Sequence, residues 1–189
     1  MTLIDEIRAC TVCAKSLAAG PRPVVQFSPQ SRLVIIGQAP GSKVHKSGVP
    51  WDDDSGERLR AWTGLTSEQF YDPDLVALMP MGFCYPGKGR SGDLPPRREC
   101  APLWHPRILA ALTDARLTLL VGTYAQAQYL ESKNLTETVR AFDAHKGFFP
   151  LPHPAWRSAI WIKRNPWFET DVLPALRRRV KRALKGSRA

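Results

Sequence analysis

Short apolar runs recur along the chain, separated by segments in which apolar residues return every three or four positions. Four runs predict buried strands, at residues 32–37, 75–79, 117–122 and 148–152. Helical spacing occurs at residues 55–65, 97–112, 123–130 and 135–142. Short apolar strands that alternate with helices are typical of a parallel sheet covered on both faces. The pattern therefore predicts an α/β fold, a three-layer α/β/α sandwich around a central, mainly parallel four-stranded sheet.

Both ends of the chain also show helical patterns. Thr2 is a plausible N-cap for a short helix that reaches about residue 9. A last helix is expected to begin at Asn165-Pro166, where Asn would cap it and Pro would take its first position. Its apolar stripe is Val172, Leu176, Val180 and Leu184. Neither a repeat nor a low-complexity linker interrupts the chain, so residues 1–189 are expected to form a single domain.

The charge of the chain favours a polyanionic partner. It has 27 Lys and Arg against 17 Asp and Glu, a formal net charge of +10. Residues 163–189 carry nine basic and two acidic side chains. No apolar run reaches the roughly 18 residues of a membrane span, and residues 1–6 lack the plan of a signal peptide. A cytoplasmic protein with reduced thiols is therefore expected.

Four cysteines form the clearest candidate metal site. Cys10 and Cys13 make a Cys-x-x-Cys pair, whereas Cys84 and Cys100 flank a loop rich in Pro and Gly. Four thiolates suit a [4Fe–4S] cluster or a structural zinc ion. Structural zinc usually takes two short Cys pairs, and only one is present, so the spacing favours the cluster. Zinc and free buried thiols remain the alternatives.

Two polar segments follow predicted strands. Gly37-Gln-Ala-Pro-Gly41 comes directly after the first strand, and His153-Pro-Ala-Trp-Arg157 follows the last one. Ligands of such folds bind at the carboxyl ends of the strands, so the two segments are expected to share a site.

These two segments, together with the cysteines, resemble the uracil-DNA glycosylase superfamily. Gly37-Gln-Ala-Pro-Gly41 is similar to its Gly-x-x-Pro-Gly motif, and His153-Pro-Ala is similar to its His-Pro motif. The order of the cysteines resembles that of the iron–sulfur branch. The resemblance spans roughly residues 10–157 and implies a glycosylase fold, cleavage of base–sugar bonds and a DNA partner.

At several positions the chain departs from that branch. Gln38 replaces a Glu, Trp51 replaces the Phe that stacks on the base, and Pro80 replaces an Asn that reads the uracil edge. The segment Asp53-Asp-Ser-Gly56 instead resembles an element of a neighbouring branch, whose Asp activates water. These departures leave the choice of base open.

The resemblance and the chemistry together suggest a role for each site residue. Cleavage needs a carboxylate to position water and a donor to the departing base. Asp53 is the expected carboxylate, with Asp52, Asp54 and His45 as rivals. His153 is the expected donor. Each has an ordinary alternative, since acids favour helix N-termini and histidines are common at surfaces.

Binding residues are expected around the same two segments. Trp51 would stack on the flipped base, unless it is simply a core residue, and Gln38, Ala39 and His45 would surround that base. Arg157, Lys163 and Arg164 would contact DNA, with Trp156 and Arg157 entering the minor groove. The basic residues of the last helix are more typical of a solvated face.

Taken together, the sequence predicts a monomeric, monofunctional DNA glycosylase that flips a deaminated base, uracil first, and hydrolyses its glycosidic bond. Two alternatives remain. The same fold would excise hypoxanthine or xanthine, or the protein would bind nucleic acid and lesions without catalysis, around a structural cluster.

Overall fold

A computed structural model describes residues 1–90 and 92–185, and its central sheet has four parallel strands in the order β2-β1-β5-β6. An antiparallel hairpin of two strands, β3 and β4, each two residues long, lies outside that sheet. The strands are β1 (Leu33–Gly37), β2 (Val76–Pro80), β3 (Lys88–Gly89), β4 (Gly92–Asp93), β5 (Leu117–Val121) and β6 (Phe148–Leu151). All four predicted strands are confirmed, within two residues at each end.

Nine α-helices are described in the same ranges. They are α1 (Leu3–Arg8), α2 (Ser42–Ser47), α3 (Asp54–Thr63), α4 (Ser67–Tyr71), α5 (Cys100–Ala111), α6 (Thr123–Leu130), α7 (Leu135–Arg140), α8 (Ser158–Arg164) and α9 (Leu173–Leu184). Helix α1 has the predicted cap, because the Thr2 side chain accepts a hydrogen bond from the Asp5 backbone N–H. The short helices α2, α4 and α8 were not predicted.

Helices cover both faces of the sheet, which confirms the three-layer α/β/α fold. Alternate residues of β1 point to opposite faces, so Leu33 and Ile35 enter one core and Val34 and Ile36 the other. The first core is completed by α3, α4, α7 and α9, and the second by α1, α5 and α6. No helix within the described residues is both long and apolar enough to cross a bilayer.

The last helical stretch begins near Asn165-Pro166, as predicted, because the Phe168 N–H donates to the Asn165 carbonyl at 2.9 Å and the Glu169 N–H to the Pro166 carbonyl at 3.1 Å. The predicted Asn cap is wrong, since Asn165 ends α8 and its side-chain amide donates to the Trp161 carbonyl at 2.8 Å. Pro166 has no N–H with which to continue α8. One π-helical stretch, Phe168–Val172, then leads into α9. The predicted stripe is nevertheless correct, since Val172, Leu176 and Val180 are buried and Leu184 packs against the same core.

Candidate active site

A cavity of about 820 Å³ opens at the carboxyl ends of the strands. Each of the four strands supplies a lining residue at or just after its end, namely Gln38, Pro80, Thr123 and His153. The two polar segments singled out in the sequence therefore do meet, as the rule for parallel sheets requires. Ala39, Trp51 and Asp53 line the same space.

Trp51 is held in an unusual backbone conformation beside this cavity. Its φ of 58° lies in the left-handed region, which costs a residue with a side chain roughly 1–2 kcal/mol. The Tyr71 hydroxyl donates to the Trp51 carbonyl at 3.3 Å, and Arg60 in turn donates to that hydroxyl at 3.2 Å. Gly56 leaves room for the turn, since a Cβ there would lie 1.8 Å from the Trp51 carbonyl oxygen. Such strain is typical of functional sites.

Two neighbours fix the indole ring of Trp51. The ring lies on the backbone of Gly37, where an added Cβ would be 2.6 Å from Cζ2. On another side it stacks with the His153 imidazole, at 5.7 Å between ring centroids and 29° between planes. The side chain proposed to stack on a base is thus already in contact with the side chain proposed to bind that base.

Asp53 is the one member of the acidic run 52–54 that lines the cavity. It caps α3, and its Oδ1 accepts from the Gly56 N–H at 2.9 Å. Its Oδ2 points toward Gly41, 3.9 Å from where a Cβ of that residue would be. One carboxylate oxygen therefore anchors the side chain and the other faces the cavity.

The neighbours of Asp53 have other surroundings. Asp54 forms an ion pair with Lys43 at 2.7 Å on the surface, and the hydrogen bond from Lys43 lowers the pKa of this carboxyl. Asp52 is exposed and lies outside the cavity lining. His45 also lies outside that lining, with its ring 5.8 Å from the ring of Tyr85.

His153 faces the cavity from the loop after β6. Burial lowers its pKa below the ordinary value of 6.5, and the negative charge of Asp53 partly opposes that effect. At neutral pH the imidazole is therefore uncharged and carries one N–H. Ser158 donates its hydroxyl to the His153 carbonyl, and Gly122 packs on the side chain without a Cβ.

Arg58 holds the His-Pro loop from below and was missed in the sequence. It lies on α3, one turn after Asp53, and donates to the carbonyls of Pro154 at 3.2 Å and Ala155 at 2.6 Å. One helix thus carries the carboxylate at its start and fastens the loop that presents His153. Its partners lie almost one hundred residues away in the sequence, and no local pattern indicates such a contact.

A basic and aromatic rim surrounds the opening of the cavity. Trp156 is 71% exposed, and the Arg157 guanidinium lies over its ring at 5.3 Å. Arg157 also approaches the β3–β4 hairpin, within 3.7 Å of a Cβ built on Gly92. Lys163 and Arg164 are exposed at the end of α8 and lie outside the cavity lining.

Part of the positive charge on α9 serves the fold itself. Arg177 donates to the carbonyls of Ala61 and Trp62, and Arg179 pairs with Asp143. The solvated face expected for this helix therefore describes only some of its basic residues, because Arg177 and Arg179 have partners within the fold.

The four cysteines converge at a second place, beside the segment that follows β2. Cys10, Cys13, Cys84 and Cys100 surround one small apolar gap beside Phe83 and Trp104, and none forms a disulfide. Burial raises the pKa of Cys84, and together with the neighbouring Cys13 and Cys84 it raises that of Cys100 to about 12. Within the described residues, no three His, Cys, Asp or Glu side chains form a group that would hold a metal ion.

Two backbone groups partly oppose the effect of burial on these thiols. The backbone of Arg22 lowers the pKa of Cys84 and the backbone of Phe83 lowers that of Cys100, but burial raises both by more. The thiolate is the form of cysteine that binds metals.

A family model described as the uracil DNA glycosylase superfamily matches residues 24–177. The matched range contains all six strands and every residue described around the cavity, whereas Cys10 and Cys13 precede it.

Proposed function

The chain belongs to the uracil-DNA glycosylase superfamily, and on that premise we propose that it excises a deaminated base, uracil first, from DNA. The observation that carries the proposal is the convergence of Trp51, Asp53 and His153 on one cavity. An aromatic face, a carboxylate and a hydrogen-bond donor are the three groups that the reaction needs. The same proposal takes residues 1–189 as one domain and the protein as a cytoplasmic monomer.

The reaction begins when the target base leaves the helix and enters the cavity. Flipping costs a few kcal/mol of stacking and pairing. Stacking on an aromatic side chain returns about 1–3 kcal/mol per base. Trp51 is proposed to provide that surface, while Gln38 and Ala39 form the adjoining wall with their backbone.

Cleavage then breaks the bond between C1′ of the sugar and the ring nitrogen of the base. The bonding electrons leave with the base, which becomes an anion, and the sugar becomes oxocarbenium-like. His153 donates its N–H to a carbonyl oxygen of the departing base and so stabilises the negative charge. Because burial keeps the imidazole neutral, its proton is shared rather than transferred.

Asp53 is proposed to act on the water. Its free oxygen accepts a hydrogen bond from a water molecule, whose oxygen attacks C1′, and the water proton passes to the carboxylate. The negative charge of Asp53 also favours the oxocarbenium sugar. The products are an abasic site and a free base, which regains a proton from solvent.

The residues that line the cavity agree with hydrolysis by water, because a Schiff base with the sugar would need a lysine there. Of the described residues that line it, none is a lysine. Lys43, two residues after the turn that ends at Gly41, is on the surface and pairs with Asp54. The proposal is therefore a monofunctional enzyme.

DNA would lie across the rim of the cavity. Arg157 stands beside the opening together with the exposed Trp156, and Lys163 and Arg164 extend the positive surface along α8. With a net charge of +10, binding should weaken steeply with salt, by a log–log slope of about −0.9 for each phosphate neutralised on duplex DNA.

For the thiol site we propose a [4Fe–4S] cluster held by Cys10, Cys13, Cys84 and Cys100, with zinc as the alternative. What supports this proposal is that all four thiols line the same small apolar gap. When bound, the cluster would supply iron–thiolate bonds that tie the N-terminal segment to α5. Its proposed role is structural.

The test is excision from defined duplexes. Each duplex carries one uracil, hypoxanthine or xanthine, and abasic sites are revealed by alkaline cleavage of the strand. We expect uracil release by the parent protein and a loss of about 10²–10³-fold in His153→Ala. Release of a purine in preference to uracil would support the alternative substrate class, and binding without release of any base would support the non-catalytic alternative.

A further inference from the structure

The β3–β4 hairpin brings a second carboxylate to the cavity, that of Asp93. A Cβ built on Gly41 would lie 3.6 Å from Asp93 Oδ2 and 3.9 Å from Asp53 Oδ2. The two carboxylates therefore face the same turn from different elements. No part of the chemistry described above uses Asp93.

The orientation of Asp93 is set by its own contacts. The Tyr85 hydroxyl donates to Oδ1 at 3.4 Å, which leaves Oδ2 toward the cavity. The backbone N–H of Leu94 donates to the Gly87 carbonyl at 2.8 Å and holds the hairpin in place. The side chain is thus directed from a short, braced element.

Most of the cavity wall beside Asp93 is apolar. Of the described lining residues of β2 and the segment after it, only Asp93 is ionisable, and the others are Leu78, Pro80, Pro86, Gly92 and Leu94. Arg157 approaches Gly92, and Asp53 faces Gly41 from another element. A base that stacks on Trp51 and meets this wall would find the Asp93 carboxylate as its charged acceptor on that side.

We propose that Asp93 reads the edge of the flipped base and selects bases that present a ring N–H. This inference rests on the proposed function and deepens it. An ionised carboxylate only accepts hydrogen bonds. Deamination of cytosine converts the N3 acceptor into an N–H donor, and deamination of adenine does the same at N1. Asp93 therefore attracts uracil and hypoxanthine and repels the ring lone pair of the parent bases.

The rival role for Asp93 is shared activation of the attacking water, because Asp53 faces the same turn. The two roles differ in what they require of the base. Edge reading depends on the ring N–H, whereas water activation is indifferent to it. A substrate that lacks this N–H separates them.

The experiment uses single-stranded oligonucleotides that contain either uracil or 3-methyluracil, so that loss of pairing does not bias the comparison. Single-turnover release is measured for the parent protein and for Asp93→Ala. We expect Asp93→Ala to release uracil about 10- to 100-fold more slowly, the range for a hydrogen bond to a charged group. We also expect the ratio of the uracil rate to the 3-methyluracil rate to be smaller in Asp93→Ala than in the parent protein, by a similar factor.

Two further variants sharpen the result. Tyr85→Phe should change the rates in the same direction but less, because Asp93 stays and loses only its bracing hydroxyl. Asp143→Ala, which removes an exposed carboxylate paired with Arg179, should leave both rates unchanged. Circular dichroism of each variant checks the fold.

The outcomes are separable. Equal slowing on both substrates in Asp93→Ala would assign the residue to water and overturn the inference. Unchanged uracil release in Asp93→Ala, or release of cytosine by the parent, would also overturn it while leaving the proposed function intact. A parent protein that releases no deaminated base refutes the proposed function and the inference with it.

Discussion

Trp51 and His153 stack on each other at the cavity, with ring centroids 5.7 Å apart. The contact joins a residue before α3 to one after the last strand. Trp51 lies on the backbone of Gly37, where a Cβ would be 2.6 Å from Cζ2, whereas a Cβ on Gly122 would be in ordinary contact with His153, at 3.5 Å. The glycine at the end of β1 is therefore part of the site, because it lets the indole approach the backbone.

Replacement of Gly37 should displace the indole. In Gly37→Ala the new Cβ would lie 2.6 Å from Trp51 Cζ2, and we expect a loss of about 1–3 kcal/mol in unfolding free energy. Base release should slow as well. Trp51→Phe shortens the ring and should relieve the clash, so the double variant should be more stable than the sum of the single effects. Urea unfolding of all four proteins measures the coupling, and strictly additive values would contradict the contact.

Asp53 and Asp54 provide a matched pair for catalysis. Asp53→Asn keeps the helix cap, since Asn and Asp are similar N-caps, but removes the charge at the cavity. We expect release to slow by about 10²–10⁴-fold with little change in stability. Asp54→Asn removes only a surface pair with Lys43 and should keep the parent rate. The reverse order of effects under single-turnover conditions would assign the water-binding group to Asp54.

The thiol site makes a prediction about iron. Protein purified without oxygen should contain close to four iron and four sulfide per chain if the proposed cluster is present. Cys84→Ser should lose most of that iron and unfold more easily. Val12→Ala changes an exposed residue between Cys10 and Cys13 and should keep the iron content of the parent protein. Stoichiometric zinc without iron in anaerobic protein would establish the alternative.

Arg58 is expected to act through the loop that carries His153. Arg58→Ala loses donors to the Pro154 and Ala155 carbonyls, and each hydrogen bond from a charged group contributes about 1.5–3 kcal/mol. Arg58→Ala should slow base release when His153 is present. The same substitution should slow it much less in a His153→Ala background, where the loop no longer presents the donor. Glu57→Ala, on the same helix, is the control. An equal slowing in both backgrounds would exclude this route.

The buried side chain of His105 should make the unfolding free energy of the protein depend on pH. It is buried between Tyr129 and the Pro80 carbonyl, and burial lowers its pKa from 6.5. The folded state therefore binds this proton less readily than the unfolded chain, which takes up a proton as the pH falls below 6.5. Its contribution to stability is complete above that pH and decreases below it, by at most about 1.4 kcal/mol per pH unit.

The measurement is urea unfolding of the parent and His105→Gln between pH 7.5 and 5 in steps of about half a unit. We expect the parent to lose stability faster below pH 6.5, so that the difference between the two proteins narrows. Parallel curves over that range would show that His105 titrates alike in both states.

Local pattern was sufficient for the strands and for most of the helices. The runs that became β1, β2, β5 and β6 are apolar because both faces of the sheet are buried, and that requirement appears directly in the residues. The N-cap at Thr2 and the stripe on α9 are equally local. The error about the Asn165 cap has a local cause too, since an Asn-Pro pair suits the end of one helix and the beginning of another.

Only some of the residues of the site could be identified from the sequence. His153 and Gly37 follow strands, and the strand-end rule brings such segments together whatever their detailed packing. The sequence favoured Asp53 but left Asp52 and Asp54 as rivals, because adjacent residues at a helix start point in different directions. No sequence pattern indicated that Asp93 and Arg58 belong to the site, since neither lies in a motif near its partners.

The sequence by itself determined which segments are buried, which are helical and which polar segments end the strands, because each property follows from a residue and its near neighbours. Only the tertiary structure decided that Trp51 lies on Gly37 and against His153, that Arg58 fastens a loop from 96 residues away, and that a hairpin places Asp93 beside Gly41. Such contacts depend on how whole elements pack, and packing geometry is a property of the entire chain.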